Sequence, residues 1–375
     1  MNDNSSAPAA PSEHADPLFV TGLYSSGHQP ARIAVYHATS ATKPLWSWSP
    51  ATDPTLQGAA WTELRESTSV TEVKWADGGS KVLALVGDYI VLIAVPDQDT
   101  HEPVLLFATR LQNASNAHSV EILPDNLIAV ADNGSDSGNS GVQLYSVGNQ
   151  RMGTGKYEQQ LRYFPSTHGL LWDSTRQWLW VVGNTKWPQS AGAQGLLRAY
   201  VYNPSTRRLE QEHIQQQNVG TGKATKEDSS WWDSPHDITG VPKKRQLLIT
   251  TEEDVYTCDI GYDVEPPVHA PQLAAFISHS HDRNNNGYPR SRFKAIGMRA
   301  TGEIIYTQPS KWGRDQDYPD MIGHYQAHTI DDVIRTDSTT YKARWFEPTP
   351  GWDTPKIHTP PPPAPEHGRV CCTIG

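Results

Sequence analysis

The chain has 375 residues, 37% of them hydrophobic and 28 of them glycine, which allows a sizeable core and excludes disorder throughout. Its 41 acidic and 31 basic residues give a formal net charge of −10, which argues against nucleic acid as the general partner. No run approaches the roughly 18 apolar residues of a membrane span, and three cysteines are too few for a disulfide framework.

The two ends of the chain are predicted to be disordered segments around one domain. Residues 1–16 are small and polar, and residues 347–375 contain four consecutive prolines and little that a core could bury. The domain is therefore expected to span residues 17–346 and to be monomeric. Residues 1–16 lack the basic start and apolar centre of a secretory signal, so two localisations stay open: secreted if a signal has been removed, and cytoplasmic otherwise.

Short apolar runs of strand length dominate the chain between these ends. In chain order they are 32–37, 81–86, 89–95, 127–131, 178–182, 246–251 and 303–307. They are rich in β-branched and aromatic residues, and glycine, proline and aspartate turns separate them. Residues 207–217 have some helical periodicity but suit an outer strand equally well. An all-β fold is predicted.

Five segments of the sequence align without gaps, and this repeat predicts a single β-propeller. Their first residues are Thr71, His118, His168, His236 and Lys294. Each segment has an apolar residue two places after its start and then runs through a turn into an apolar strand. With the N-terminal run, six units are visible. A seventh is conceivable in 323–346, where residues 340–346 would be a closing strand that joins the two chain ends in one blade and removes a free sheet edge. A two-sheet sandwich does not explain the repeat.

The first residues of the repeats should form a ring at one mouth of the central channel, which the first strand of each blade lines. Three histidines and a lysine in such a ring indicate a functional site, although histidines also cap inner strands for structural reasons. Neutral imidazoles can bind a transition metal, or they can act as general base or acid at neutral pH. Lys294 favours the acid–base chemistry, because an ammonium group repels a cation and attracts a carboxylate.

Further candidate binding residues are expected near the same mouth. Trp231 and Trp232 precede His236 in the sequence and either stack on sugar rings or pack in the core. The segment that enters the Lys294 strand is basic, which favours an anionic ligand such as a sugar acid, with a solvated turn as the alternative. Its candidate residues are His279, His281, Tyr288, Arg290 and Arg292. His328 is a further candidate, either for the site or for a structural role.

Four motifs resemble those of a known family. They are 116–124 (NAHSVEILP), 167–173 (THGLLWD), 234–238 (SPHDI) and 341–346 (YKARWF). In this combination the chain is similar to the fungal L-rhamnose-α-1,4-D-glucuronate lyases, polysaccharide lyases that act on gum arabic, over most of residues 17–346. The resemblance implies a seven-bladed propeller, a secreted enzyme and a catalytic histidine at the channel mouth, a role that falls on His118.

The implied reaction is a β-elimination on a uronate-containing oligo- or polysaccharide. His118 would remove the C5 proton, and a second histidine of the ring or Tyr288 would protonate the leaving oxygen. Arg290, Arg292 or Lys294 would neutralise the carboxylate. The reaction requires no cofactor, although a divalent metal is compatible with it.

Two other functions stay open at the level of the sequence. A hydrolase would need two facing carboxylates, for which Glu72, Glu121 and Asp237 are candidates near the channel. A non-catalytic propeller would bind a sugar or a protein through the same mouth.

Overall fold

The structure is a computed structural model. It describes residues 17–40, 42–96, 102–113, 116–134, 140–224, 231–261, 263–269, 292–309, 318–326, 334–335, 339–346, 352 and 354–359. Within these ranges the strands are, in chain order, β1 (Leu18–Leu23), β2 (Arg32–His37), β3 (Trp46–Trp48), β4 (Val70–Ala76), β5 (Lys81–Val86), β6 (Tyr89–Ala94), β7 (Val104–Arg110), β8 (Ala117–Leu123), β9 (Leu127–Asp132), β10 (Gly141–Ser146), β11 (Gln159–Arg162), β12 (Gly169–Asp173), β13 (Trp178–Asn184), β14 (Gly195–Asn203), β15 (Arg208–Val219), β16 (Pro235–Gly240), β17 (Gln246–Thr251), β18 (Val255–Asp259), β19 (Val268–His269), β20 (Ala295–Met298), β21 (Ile304–Gln308), β22 (Met321–Tyr325), β23 (Ile334–Arg335) and β24 (Thr340–Trp345). One α-helix, α1 (Thr62–Arg65), and two 3₁₀ turns, Ala59–Trp61 and Asp77–Gly79, complete the described elements.

The strands form six antiparallel sheets of four strands each within the described ranges, and the protein is an all-β propeller. Five sheets follow the sequence: β4–β7, β8–β11, β12–β15, β16–β19 and β20–β23. The sixth joins both ends of the domain, because β24 pairs with β1 on the inner side of β2 and β3. This closure removes a free sheet edge. The seven-bladed expectation is not confirmed: residues 340–345 complete the first blade rather than a seventh one.

Residues 208–217 of the segment with helical periodicity belong to an outer strand, β15, and residue 207 lies in the turn before it. Their side chains are mostly exposed, whereas all six residues of β9 are buried. The core lies between neighbouring blades, where apolar side chains of adjacent sheets pack together. One cluster joins the β4 sheet to the β8 sheet through Leu83, Ile90, Val120 and Ile128, all less than 2% exposed.

Four of the six innermost strands, β4, β8, β16 and β24, carry an extra residue near their N-terminal end. In β4, for example, Val70 pairs with Val86 and Glu72 with Leu85, so Thr71 is a bulge. The extra residues are Thr71, His118, His236 and Tyr341. His168 and Lys294 stand at the corresponding positions just before β12 and β20, where their backbone N–H groups donate to Val182 and Thr307, the residues that face Gly169 and Ala295. We refer to all six as the bulged residues. A bulge turns two consecutive side chains to one face of the strand. The bulged residue and its successor can therefore both face the central channel.

Three rings of side chains follow from this register, and each ring takes one residue from each blade. The upper ring consists of the six bulged residues. The middle ring, one position later, is Glu72, Ser119, Gly169, Asp237, Ala295 and Lys342, and the lower ring, three positions after the bulge, is Lys74, Glu121, Leu171, Thr239, Gly297 and Arg344. We call the channel entrance at the upper ring the histidine mouth.

Part of the segment assigned by sequence to a tail after residue 346 packs on the opposite face of the propeller. Trp352 is 7% exposed, and its indole N–H donates to the Lys244 carbonyl oxygen. Ile357 is 1% exposed, and its carbonyl oxygen accepts from Lys81 Nζ. Residues 1–16 lie outside the described ranges. None of the helices in the described part of the chain is long and apolar enough to cross a membrane.

Candidate functional site at the histidine mouth

The three predicted histidines do come together at the histidine mouth. The imidazole of His118 stacks on that of His168, with ring centroids 4.5 Å apart and planes inclined by 10°. On its other side it stacks on Tyr341 at 4.9 Å, and His168 meets His236 edge to face at 5.1 Å. Thr71 lies between Tyr341 and His118 in the order of the blades, so the contact between these two rings passes over one blade.

His236 and Lys294 share one carboxylate. Glu252 Oε1 lies 2.7 Å from His236 Nε2 and 2.9 Å from Lys294 Nζ, and Nζ lies 2.8 Å from Nε2. Arg292 Nε is 3.5 Å from the second oxygen of Glu252. The Lys294 ammonium only donates and the carboxylate only accepts, while Nε2 of a neutral imidazole has a single bonding site. Nε2 therefore either accepts from Lys294 or donates to Glu252, and Lys294 donates to Glu252 in both cases. Glu252 lies in the turn between β17 and β18, at the same end of the channel.

Burial keeps all three imidazoles neutral. Desolvation lowers the pKa of His118 and of His168 well below 6.5, and nearby positive charges or imidazoles add to the effect. For His236, desolvation followed by the charge of Lys294 lowers the pKa to about 4, against the opposing pull of Glu252. Burial alone would raise the pKa of Glu252, but Lys294, His236 and Arg292 hold it well below 4.5. At neutral pH the site therefore combines neutral imidazoles with a paired cation and carboxylate.

The hydrogen bonds define how these imidazoles can react. His168 Nδ1 is 2.8 Å from the Ser166 carbonyl oxygen, which only accepts, so Nδ1 carries the hydrogen and Nε2 keeps its lone pair. His118 Nδ1 is buried without a hydrogen-bond partner among the described residues. A neutral imidazole with an uncommitted nitrogen is able to take up or release a proton.

Tyrosines extend the site on the side of Tyr341. The ring of Tyr318 lies 6.2 Å from Tyr341 and 5.8 Å from Tyr24. Burial, followed by the charges and hydroxyls around it, raises the pKa of Tyr341 well above 10. Its hydroxyl therefore holds its proton over the whole neutral range. Tyr318 is 47% exposed and brings an aromatic face to the solvent side of the site.

Below the histidines, four buried charged side chains form one ion-pair network. Lys342 Nζ donates to Glu72 Oε2 at 3.0 Å and to Asp237 Oδ1 at 3.1 Å. Arg344 binds the same two carboxylates, with Nη2 2.7 Å from Asp237 Oδ1 and 3.0 Å from Glu72 Oε1. These two cations outweigh the effect of burial and lower the pKa of both carboxyl groups. Glu121 is paired with Lys74 at 2.9 Å.

This network bears on the hydrolase alternative. A glycosidase needs one carboxyl group that holds a proton near neutral pH. Glu72 and Asp237 are ionised, paired and fully buried, and Glu121 is held by an ion pair. The three carboxylates thus serve the channel network and are poor candidates for an acid pair.

Several predicted binding residues lie outside the described part of the chain: His279, His281, Tyr288, Arg290 and His328. Trp231 and Trp232 are half-buried just before β16. The backbone N–H of Trp232 donates to the Pro188 carbonyl oxygen in the connection after β13. Arg292 is described and lies against Glu252. Among the described residues, no three His, Cys, Asp or Glu side chains are arranged to hold a metal ion.

Tyr341 and Glu252 were not among the residues predicted from the sequence. The sequence around Tyr341 does match the repeat. Residues Tyr341 to Trp345 (YKARW) align with Thr71 to Trp75 (TEVKW) in the apolar third residue and the final tryptophan. No feature of the sequence points to Glu252, because nothing in the turn distinguishes it from its neighbour Glu253.

The comparisons with known proteins support the fold alone. No family model matches the chain, and no curated protein matches it. A protein of unknown function from Bacteroides caccae is similar in structure, with a TM-score of 0.51 and 9% identity over 88% of this chain and 99% of that one. A periplasmic gluconolactonase from Pseudomonas aeruginosa gives a TM-score of 0.49 with 8% identity over 88% and 99%. A hypothetical selenium-binding protein from Sulfolobus tokodaii gives 0.45 with 11% identity over 95% and 97%.

These comparisons provide no link to the rhamnose-glucuronate lyases that the sequence motifs resemble. At 8–11% identity, structural similarity carries neither activity nor substrate. What the chain shares with these neighbours is the β-propeller.

Proposed function

We propose that the protein is a carbohydrate lyase that cleaves a rhamnosyl-glucuronate linkage by β-elimination at the histidine mouth. The observation that carries the proposal is the cluster of three neutral imidazoles beside the Lys294–Glu252 pair. A lyase needs a base that is unprotonated at neutral pH, a cation for the uronate carboxylate and a proton donor for the leaving group. The cluster offers a candidate for each.

His118 is the proposed base. Its depressed pKa leaves it unprotonated at neutral pH, and its Nδ1 atom has no competing partner in the described part of the chain. The base takes the C5 proton of the glucuronate, and the electron pair forms the C4–C5 double bond as the C4–O4 bond breaks. The rhamnose then leaves with O4.

The carboxylate of the sugar acid must be neutralised for the C5 proton to become acidic. Lys294 and Arg292 are the described cations at this mouth, and both already contact Glu252. A uronate carboxylate would therefore bind in one of two ways. It would share Lys294 and Arg292 with Glu252, or it would displace the Glu252 carboxylate from these two cations. Tyr341, stacked on His118 and protonated, is the proposed donor to O4.

The experiment is a timed assay on gum arabic that follows ultraviolet absorbance of the unsaturated uronate together with free L-rhamnose. We expect both to rise in parallel and His118→Ala to abolish both. His213→Ala, an exposed substitution on the outer strand β15, is the matched control and should leave the rate unchanged. Rhamnose without absorbance would indicate hydrolysis. If neither product appears, the lyase proposal is wrong.

A non-catalytic propeller that binds sugars through the same mouth is the second candidate. The observation in its favour is that Glu252 already neutralises Lys294 and Arg292, which weakens their pull on a substrate carboxylate. This function predicts saturable binding of a rhamnosyl-glucuronate disaccharide without product, and binding lost in Lys294→Met.

A further inference from the structure

The face of the propeller opposite the histidine mouth carries a polar cleft that the proposed lyase chemistry does not use. The cleft is open to the solvent and has a volume of about 490 Å³. Two neighbouring blades and the C-terminal segment form its walls, through Asp125, Asn126, Ser146, Arg207, Lys356 and His358. We call it the basic cleft.

Hydrogen bonds to the backbone hold the C-terminal wall of the basic cleft in place. The Asn126 side chain donates to the His358 carbonyl oxygen at 3.0 Å and accepts from the His358 backbone N–H at 2.9 Å. Ile357 is 1% exposed, and its carbonyl oxygen accepts from Lys81 Nζ at 2.8 Å. The side chains of Lys356 and His358, on either side of Ile357, are exposed. Two basic side chains are thus carried on an anchored stretch of backbone.

Arg207 bounds the cleft from the neighbouring blade, in the turn between β14 and β15. Its backbone φ is 55°, which is uncommon for a residue with a long side chain. One guanidinium nitrogen, Nη2, donates at 2.8 Å to the carbonyl oxygen of Asp125, in the turn between β8 and β9. This bond joins the two blades and leaves the other guanidinium N–H groups free to bind a ligand.

The two permanent cations of the cleft have no carboxylate partner. Within the described part of the chain, neither Arg207 nor Lys356 forms an ion pair. Asp125 also lines the cleft, and its Oδ2 atom accepts from the Tyr202 hydroxyl at 2.6 Å. Two permanent positive charges therefore face one carboxylate, in a protein whose formal net charge is −10. An anionic ligand would supply the missing partner.

The other polar groups of the cleft favour an anion that also carries hydroxyl groups. The second carboxylate oxygen of Asp125 can accept from a ligand hydroxyl, and the Ser146 hydroxyl can donate or accept. A bare inorganic anion would be repelled by Asp125 and would leave most of the 490 Å³ to water. This volume lies within the range of small-ligand pockets, about 300–1,000 Å³.

We infer that the basic cleft is a binding site for a small hydroxylated acid, namely a sugar that carries one carboxylate or phosphate group. Arg207 and Lys356 bind the anionic group, and Asp125 and Ser146 bind hydroxyl groups. The inference does not depend on the lyase proposal, because the cleft lies on the opposite face and shares no residue with the histidine mouth.

The test is calorimetric titration of the full chain at low ionic strength, where exposed charges are least screened. The probes are D-glucuronate and D-glucose 6-phosphate, with D-glucose and inorganic phosphate for comparison. The stronger binder of the first two shows whether a carboxylate or a phosphate is preferred. We expect a Kd below about 10 mM for at least one of them.

Lys356→Met removes one charge from the cleft and should weaken this binding about fivefold. Arg207→Met should weaken it to a similar extent, and the double variant should weaken it further. Lys244→Met is the matched control, because Lys244 is an exposed lysine on the same face, in the turn between β16 and β17. It removes the same charge from the protein and should leave the Kd unchanged.

Four outcomes would overturn the inference. One is that neither charged sugar binds in the stated range. Another is that D-glucose binds as tightly as its charged derivatives, and a third is that inorganic phosphate binds as tightly as D-glucose 6-phosphate. The fourth is that Lys356→Met and Arg207→Met, shown to be folded by circular dichroism, bind as well as Lys244→Met.

Lys294→Met separates this site from the histidine mouth. Binding kept in Lys294→Met and weakened in Lys356→Met belongs to the basic cleft, and the reverse pattern would assign it to the histidine mouth and overturn the inference. Lys356→Met should also keep the wild-type rate in the gum arabic assay. A failure of this inference and a failure of the lyase proposal can therefore be told apart.

Discussion

The imidazole rings of His118 and His168 lie parallel at 4.5 Å although 50 residues separate them in the sequence. His118 is the bulge of β8, His168 stands at the corresponding position just before β12, and β8 and β12 are the innermost strands of adjacent blades. The stack is therefore a product of the repeat. Two imidazoles so close and so buried cannot both be protonated without a large cost, and this has consequences for the stability of the protein.

We expect the free energy of unfolding to fall as the pH drops from 7 towards 4. The pKa values of His118, His168 and His236 are lower in the folded chain than the unfolded value of 6.5, so the unfolded chain binds more protons in this window. Each histidine contributes a slope of about 1.4 kcal/mol per pH unit where only its unfolded form is protonated. Buried carboxylates with depressed pKa values add to the loss only below about pH 4.5.

Urea denaturation at pH 7.5, 6.5 and 5.5 measures this slope. His236→Gln should reduce the slope of the unfolding free energy against pH by the contribution of one histidine. His28→Gln, at an exposed position, should leave the slope unchanged. A stability that is flat between pH 7.5 and 5.5 would show that the three histidines are not buried as neutral groups.

Substitution of Lys294 should raise the pKa of His236. After burial, the ammonium of Lys294 at 2.8 Å is the largest influence that lowers this pKa to about 4. In Lys294→Met that charge is gone, and Glu252 at 2.7 Å then favours the imidazolium. NMR titration of ring-labelled histidine measures the change. An unchanged or lower pKa in Lys294→Met would contradict the proton arrangement assigned to this cluster.

Loss of a cation from the middle of the channel should destabilise the fold strongly. In Lys342→Met, Glu72 and Asp237 would share only Arg344 while fully buried, and we expect a loss of about 3–5 kcal/mol. The comparison is Arg110→Met, which removes an ion pair with Glu63 that is more than half exposed and should cost less than about 1 kcal/mol.

Urea denaturation at pH 7 compares the two variants. A second substitution, Glu72→Gln, should recover part of the loss in Lys342→Met because it restores the balance of charge. If the double variant were less stable than Lys342→Met alone, the loss would come from packing and not from unpaired charge.

The sequence predicted the ring better than the network beneath it. Five members of the upper ring follow from a gapless alignment, because each blade repeats the same ring position and the same apolar position two residues later. The sequence also predicts that residues 340–346 are a closing strand that joins the two chain ends in one blade, and β24 does pair with β1. Tyr341 was not placed in the ring, because the sequence does not show that this closing strand is the innermost one of its blade.

The channel network was missed for a different reason. Lys342 and Arg344 stand two apart in an otherwise apolar strand, which indicates one shared face, but their partners Glu72 and Asp237 lie on other blades. Only the closed ring brings these four residues together. Glu72 and Asp237, two of the carboxylates that the sequence offered as catalytic candidates, are consequently ion-pair partners of cations 105 to 272 positions away.

The C-terminal segment should stabilise the propeller although it follows the last strand. Ile357 is 1% exposed in the core cluster between the β4 and β8 sheets, so Ile357→Ala should cost about 2–5 kcal/mol. His358, the next residue, is partly exposed and bonds through its backbone to Asn126, so His358→Ala keeps that backbone contact and serves as the control. Thermal unfolding by circular dichroism compares the two variants. A melting temperature lowered equally in both, or in neither, would show that residues 354–359 are not anchored to the propeller through the side chain of Ile357.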